Sequence, residues 1–255
     1  MKAPMVMIGV GEMGGVFARG LLRLGHLLYP LTRGMDLRQS VADFPAPEAV
    51  LVTVGENDLA PVLADVPAMW RDRLVLLQNE LLPRDWQAAG IDAPTVISVW
   101  FEKKPGQDFK VIIPSPVHGP HAALIVDALA ALAVPCRQVN DDELLFELVR
   151  KNVYILTSNI AGLEAGGTVS DLWERHEALA RQVANEVMDI QFWLVGRELN
   201  REALIQGMLE AFSGDPEHNC MGRSAPGRLA RAVAYADEAG LAVPKLRQLA
   251  SRLSG

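Results

Sequence analysis

Short apolar, β-branched runs alternate with amphipathic stretches through the first half of the chain. The runs are Met5 to Val10, Leu27 to Thr32, Ala49 to Val54, Leu74 to Gln78, Thr95 to Trp100 and Phe109 to Ile113. Their alternation with helical patterns predicts a mostly parallel sheet. Between the first two runs, Gly14 to Leu24 places Phe17, Leu21 and Leu24 on one face and Arg19 and Arg23 on the other, and Gly25 stands where such a helix ends. Asn57 or Asp58 is a candidate cap for a second helix running to about Trp70. A run as continuously apolar as Ala49 to Val54 suits a sheet covered on both faces. The expected architecture is therefore α/β and doubly wound. Pro30, inside the second run, lacks the N–H that a strand interior needs and is tolerated at an edge, an end or a bulge.

After about Asn140 the pattern changes. Asp141 and Asp142 precede a long helical stretch to about Gly162, and Ser170 or Asp171 can cap another that runs to about Val195. Further helical segments cover Arg201 to Phe212, Gly227 to Glu238 and Pro244 to Leu253, with a Gly- and Pro-punctuated loop from Gly214 to Pro226. No strand pattern returns, so the expected organisation is a sheet domain over residues 1–140 and an all-helical domain over 141–255. There is no internal repeat and no low-complexity tract.

Composition narrows the function classes. Half of the 255 residues are apolar and 22% are charged, which is globular rather than disordered composition. A formal charge of −7 argues against a polyanion-binding surface, so no nucleic-acid partner is expected. Two cysteines, Cys136 and Cys220, make neither a disulfide framework nor a zinc cluster and read as ordinary thiols of a reducing compartment. The N-terminal apolar run leads into glycines rather than a cleavage site, and the longest apolar stretch, Ala122 to Val134, is broken by Asp127. A soluble, cytoplasmic protein without a membrane partner is the expectation.

Gly9-Val10-Gly11-Glu12-Met13-Gly14 spells G-x-G-x-x-G after the first predicted strand and at the head of the first predicted helix. That context marks a Rossmann-type dinucleotide-binding unit. Gly9 permits the tight turn, Gly11 leaves room for a diphosphate, and Gly14 lets helix and strand pack closely, while the helix N-terminus attracts phosphates. Val10, Glu12 and Met13 complete the cofactor-binding turn. A glycine-rich turn without a ligand is the plainer alternative. At the end of the second strand an NAD site presents Asp or Glu, about 20 residues beyond the glycines. Arg33 stands there instead. A guanidinium suits a 2′-phosphate, which makes NADP the expected cofactor. The alternative is a solvated surface arginine.

Together these residues resemble the ketopantoate reductase family (2-dehydropantoate 2-reductase). The likeness rests on Gly9 to Gly14, on Gly25-His26 followed by Arg33, on Leu76-Leu77-Gln78-Asn79, on Lys151 through Asn159, and on Gly240-Leu241-Ala242-Val243-Pro244. It implies a Rossmann domain followed by a helical one, with Asn79 near the nicotinamide side and Lys151 as proton donor to a keto oxygen. The chemistry is sound in itself: hydride arriving at a carbonyl carbon leaves negative charge on oxygen, and a cationic donor there both stabilises and protonates it. At about 100° per residue, Lys151 and Asn159 differ by about 80° around a helix, and Lys151 and Ser158 by about 20°. One face thus presents all three, making Asn159 and Ser158 candidate substrate ligands. A solvated Lys151 beside Arg150, and Ser158 and Asn159 satisfied within the helix, are the alternatives.

The chain departs from that family at four positions. Ile155 stands where an asparagine is usual, Glu80 follows Asn79 where a glycine is usual, Gly55 replaces a lysine, and Ser224 occupies the place of a substrate-contacting glutamate. Such exchanges shift specificity by large factors. Ser224 is carried as the candidate substrate residue at its position. The expected function is NADPH-dependent reduction of a small 2-keto acid or related carbonyl, with ketopantoate itself disfavoured. Two alternatives stand beside it. One is a non-catalytic NADP-binding sensor or scaffold, favoured by Ser224 and opposed by Lys151. The other is an imine reductase of the β-hydroxyacid-dehydrogenase type. His118, His121, His218 and Cys220 lack a further ligand at useful spacing, so no metal is expected. Homodimerisation through the helical domain is the expected assembly.

Overall fold

The apolar runs of the first half pair side by side, because each is too hydrophobic to leave either face in water. In the computed structural model, which describes residues 2–253, β1 (Met5–Ile8), β2 (Leu28–Leu31), β3 (Val50–Val52), β4 (Leu74–Leu76) and β5 (Thr95–Ile97) form one parallel array. A separate antiparallel hairpin, β6 (Phe101–Glu102) with β7 (Lys110–Val111), follows. Then β8 (Ser115–His118) pairs antiparallel with β5, and β9 (Cys136–Gln138) pairs parallel with β8. The sheet order is β2-β1-β3-β4-β5-β8-β9. Pro30 lies in β2, the edge strand, where its missing N–H costs no ladder bond.

Two expectations for this half are corrected. The run from Phe109 to Ile113 contributes β7 to the hairpin and not to the main sheet. The place beside β5 goes to β8, whose Ser115 and Val117 are fully buried, whereas Lys110 is exposed. Neither Ser-Pro-Val-His nor Cys-Arg-Gln carries an apolar run, so β8 and β9 left no period-two signal. The helix expected from Asn57 or Asp58 to Trp70 is shorter: it spans Leu59–Asp65 and gives way to a 3-10 segment at Ala68–Arg73. Pro67 ends it, having no N–H to continue the ladder.

The helices of this half are α1 (Glu12–Arg23), α2 (Leu37–Asp43), α3 (Leu59–Asp65), α4 (Pro83–Gln87) and α5 (Ala122–Ala130). Phe17 and Leu21 of α1 and Ile125 and Leu129 of α5 are buried in one core with Met5, Met7, Leu51, Val75 and Val117 of the sheet. The chain runs from β1 through α1 to β2 on one side, then returns to β3 on the other side of β1. That reversal opens a crevice at the carboxyl ends of β1 and β3, the usual ligand position in such sheets.

The second half is helical: α6 (Asp141–Ala165), α7 (Val169–Val195), α8 (Arg201–Gly214), α9 (Ala225–Ala239) and α10 (Pro244–Leu253). The chain divides into two compact units, the first reaching Glu147 and the second beginning at Leu148, so the division falls inside α6. Thr168, rather than Ser170 or Asp171, caps α7: its hydroxyl accepts the Asp171 N–H at 3.1 Å while Asp171 accepts the Thr168 N–H at 3.2 Å. The carboxylate of Glu186 on α7 accepts the N–H groups of Lys245 and Leu246, both at 2.9 Å, and so closes the start of α10. Among the described residues no helix is long and apolar enough to cross a membrane.

Candidate functional site

The glycine turn is knitted from main chain. Gly9 N–H donates to the Leu31 carbonyl at 2.9 Å and Thr53 N–H to that of Ile8 at 2.8 Å, tying the ends of β1, β2 and β3 together. Gly9 has φ +90°, and a Cβ there would approach Val54 Cγ1 to 3.1 Å, so both conformation and space demand glycine. A Cβ on Gly14 would come within 2.6 Å of Thr53 Oγ1, the hydroxyl that donates to the Gly9 carbonyl at 2.6 Å. Close packing of α1 on the end of β3 thus explains Gly14.

Gly11 and Gly15 are different. Gly11 has φ −78°, and a Cβ at either position would meet nothing within 4 Å. Neither backbone nor packing asks for glycine there. Both line a hollow of about 320 Å³ together with Glu12, Arg19 and Lys103. No described side chain caps the start of α1, so its first N–H groups face this hollow's end of the helix as donors. Bare carbons, uncapped donors and the positive end of a helix dipole form a cradle that fits a diphosphate.

A second hollow, of about 300 Å³, lies at the end of β2 and is lined by Ile8, Thr32, Arg33, Met35 and Asp58 among others. The Arg33 side chain is 95% exposed, with Nη2 at 3.2 Å from Asp58 Oδ2. Asp58, expected only as a candidate helix cap, is thus the partner of Arg33. Asn79, just beyond β4, is exposed, and its neighbour Gln78 is buried, donating from Nε2 to the carbonyls of Val52 at 2.7 Å and Val54 at 3.2 Å. Gln78 thereby anchors the segment that presents Asn79. Glu80 has φ +60°, so the chain keeps the left-handed turn that glycine would otherwise supply.

In the second unit, Lys151, Ser158 and Asn159 lie on α6, and all three are buried. The Ser158 hydroxyl donates to the Tyr154 carbonyl at 2.8 Å and is engaged by its own helix. Asn159 Oδ1 accepts from Arg228 Nη1 at 3.0 Å. A guanidinium has donors only, so the amide must turn its oxygen to Arg228 and its NH₂ away. Burial, and after it the positive charge of Arg228, press the Lys151 ammonium down to about 7. Ser224 is exposed at the head of α9, one turn before Arg228, whose N–H its carbonyl accepts at 2.9 Å. The structure therefore gathers Lys151, Asn159 and Arg228, and leaves Ser224 on the surface.

Arg228 and Lys103 escaped the sequence reading. Arg228 left a signal: it falls in register with Ala225, Leu229, Ala232 and Ala236, the buried stripe of α9. Lys103 left none, since it reaches Glu12 only through the hairpin fold, at 2.8 Å. Desolvation pushes the half-buried Cys136 thiol up to about 12 and the buried Cys220 thiol up to about 11. His118 Nδ1 donates to the Val139 carbonyl at 2.8 Å.

No protein-family model and no curated protein matches the sequence. Solved structures do. The chain resembles 2-dehydropantoate 2-reductase from Methylococcus capsulatus, with TM-score 0.70, 14% identity, and 98% of this chain and 96% of that one covered. It resembles a dimeric ketopantoate reductase from Staphylococcus aureus at TM-score 0.64 and 15% identity, over 98% and 97% of the two chains. It also resembles D-mandelate dehydrogenase, solved with NADH, at TM-score 0.67 and 14% identity, again over 98% and 97%. The chain has the fold of these proteins, a Rossmann-type first unit followed by a helical second one.

Proposed function

We propose that this protein is an oxidoreductase of the CH–OH/C=O couple that uses NADPH to reduce a small 2-keto acid or related carbonyl. The observation that carries it is Lys151: a buried ammonium brought down to about 7, able to hold or release a proton at neutral pH. Perturbed groups of this kind concentrate at reaction centres.

The turn from Gly9 to Gly14 would hold the dinucleotide's diphosphate, with Gly11 and Gly15 giving it room, and Arg33 would hold the 2′-phosphate of the adenosine side. When bound, the nicotinamide supplies a hydride to the carbonyl carbon. Lys151 then holds the proton at Nζ that the developing alkoxide takes up, and its charge stabilises that oxygen beforehand. Asn159, its oxygen fixed by Arg228, offers its NH₂ to a substrate oxygen. Asn79, just beyond β4, would lie on the nicotinamide side of the bound dinucleotide. Ser224 is left to a rim contact, and Ser158 to supporting the helix that carries Lys151. The likeness to a 2-dehydropantoate 2-reductase and a D-mandelate dehydrogenase supports a 2-oxo acid as the substrate class.

The test is loss of reduced-nicotinamide absorbance with a panel of 2-keto acids, run with NADPH and with NADH. Turnover with at least one small 2-keto acid, faster with NADPH, is expected. Tight NADPH binding with no oxidation by any carbonyl would overturn the reductase reading.

A further inference from the structure

Lys103 is brought to the glycine turn by the hairpin that also packs Phe101 into the core. The β6–β7 hairpin is fastened to α1: the rings of Phe17 and Phe101 lie 6.0 Å apart, Arg19 stacks 5.1 Å over Phe109, and Arg19 Nη2 sits 3.2 Å from Asp108 Oδ1. Held this way, Lys103 leaves the end of β6 with its side chain only 18% exposed and places Nζ 2.8 Å from Glu12 Oε2. The same ammonium donates to the Lys104 carbonyl at 2.8 Å. Both Glu12 and Lys103 line the hollow in which Gly11 and Gly15 lie bare.

Glu12 is the first residue of α1, and a carboxylate there is favoured by the helix dipole. It is also an anion in the place where a second anion would have to enter. A diphosphate carries two negative charges against one on the carboxylate, and its oxygens accept charge-assisted hydrogen bonds from an ammonium at least as well. An entering diphosphate therefore competes with Glu12 for the same cation.

We propose that Lys103 is a ligand of the diphosphate bridge of the bound dinucleotide, held at the turn by Glu12, which competes with that bridge for it. The inference rests on the dinucleotide reading of the glycine turn and adds to it a side-chain phosphate ligand and a built-in competitor.

A double-mutant cycle on the full-length protein tests it, with NADPH affinity measured by titration for the wild type, Glu12→Gln, Lys103→Met and the double variant, each checked for folding by circular dichroism. Glu12→Gln should tighten binding about threefold or more, and Lys103→Met should weaken it about tenfold. The double variant should bind more than about tenfold more weakly than Glu12→Gln alone, because Lys103 gives its whole charge to the diphosphate once Glu12 no longer competes for it. ADP-ribose, which keeps the diphosphate, should show the same pattern, and adenosine 2′-monophosphate, which carries no phosphate at the 5′ position, should be indifferent to Lys103→Met. If Lys103 merely neutralises Glu12, the double variant regains wild-type affinity and the proposal falls. It falls too if adenosine 2′-monophosphate is weakened as much as NADPH, or if Glu12→Gln does not tighten binding. Wild-type protein that binds no dinucleotide at all would remove the reading beneath it, whereas firm binding untouched by Lys103→Met removes only the role of Lys103.

Discussion

The glycine turn of the first unit and the lysine cluster of the second are built from opposite materials. The turn consists of main chain and missing side chains: Gly9 bends, Gly14 packs against Thr53, and Gly11 and Gly15 leave room. The cluster consists of side chains alone, Lys151, Asn159 and Arg228 drawn together from α6 and α9 and desolvated. A site of the first kind binds through donors that stay charged with partial dipoles at every pH, so it can only hold. A site of the second kind has a proton whose affinity depends on its surroundings, so it can react. On the proposed function, binding and chemistry would be divided between the two kinds of construction, so that each could be perturbed without the other.

The largest effect should come from Lys151→Met, which is expected to lower kcat by about 10²- to 10⁴-fold while NADPH affinity, measured by titration, is unchanged. The same variant has a stability signature. With a folded pKa of about 7 against an ordinary 10.5, the wild type holds Lys151 neutral between those values while the unfolded chain stays protonated. The unfolded state then binds more protons, so this group makes stability rise with pH across that window, its cost being full below about 7 and gone above 10.5. Thermal unfolding of Lys151→Met against wild type should accordingly show a gain that is greatest at and below neutral pH and fades on the alkaline side. A difference independent of pH would break the contrast between a reacting and a holding site.

Next in size is the contrast within the turn. Gly11→Val should weaken NADPH binding by at least about tenfold with the melting temperature unchanged, because its side chain meets only the space a ligand needs. Gly14→Val should instead lower stability by about 1–3 kcal/mol, read from denaturant unfolding, because its side chain would meet Thr53. Equal effects of the two on stability would show that the turn is packing alone. The smallest effect concerns cofactor choice. Arg33→Ala should cut the preference for NADPH over NADH by about tenfold, and Asp58→Asn, which frees Arg33 from its exposed ion pair, should raise it a few-fold. An unchanged ratio in both variants would remove Arg33 from the cofactor site.

How far each part was legible follows from the same division. The turn could be read in six consecutive residues because what glycine permits is local, and a strand before and a helix after complete the pattern. The parallel strands could be read because each is apolar throughout. β8 and β9 could not, since Ser-Pro-Val-His becomes a strand only against the open edge of β5, and Cys-Arg-Gln only against β8. Lys151 and Asn159 could be placed on one helix face from their spacing, yet nothing in that spacing tells whether the face meets water.

By itself, then, the order of residues determined the alternation of strand and helix, the bend at Gly9, the bare carbon at Gly11 and the change to helices after Asp141, because propensity and backbone freedom act over a few neighbours. Tertiary structure alone decided that Lys103 would lie 2.8 Å from Glu12, 91 positions earlier in the chain, that Asp58 would face Arg33, and that Arg228 would help hold the proton affinity of Lys151 low. Charge, burial and the strength of a hydrogen bond depend on distance and on the exclusion of water, and these exist only once the chain has closed on itself.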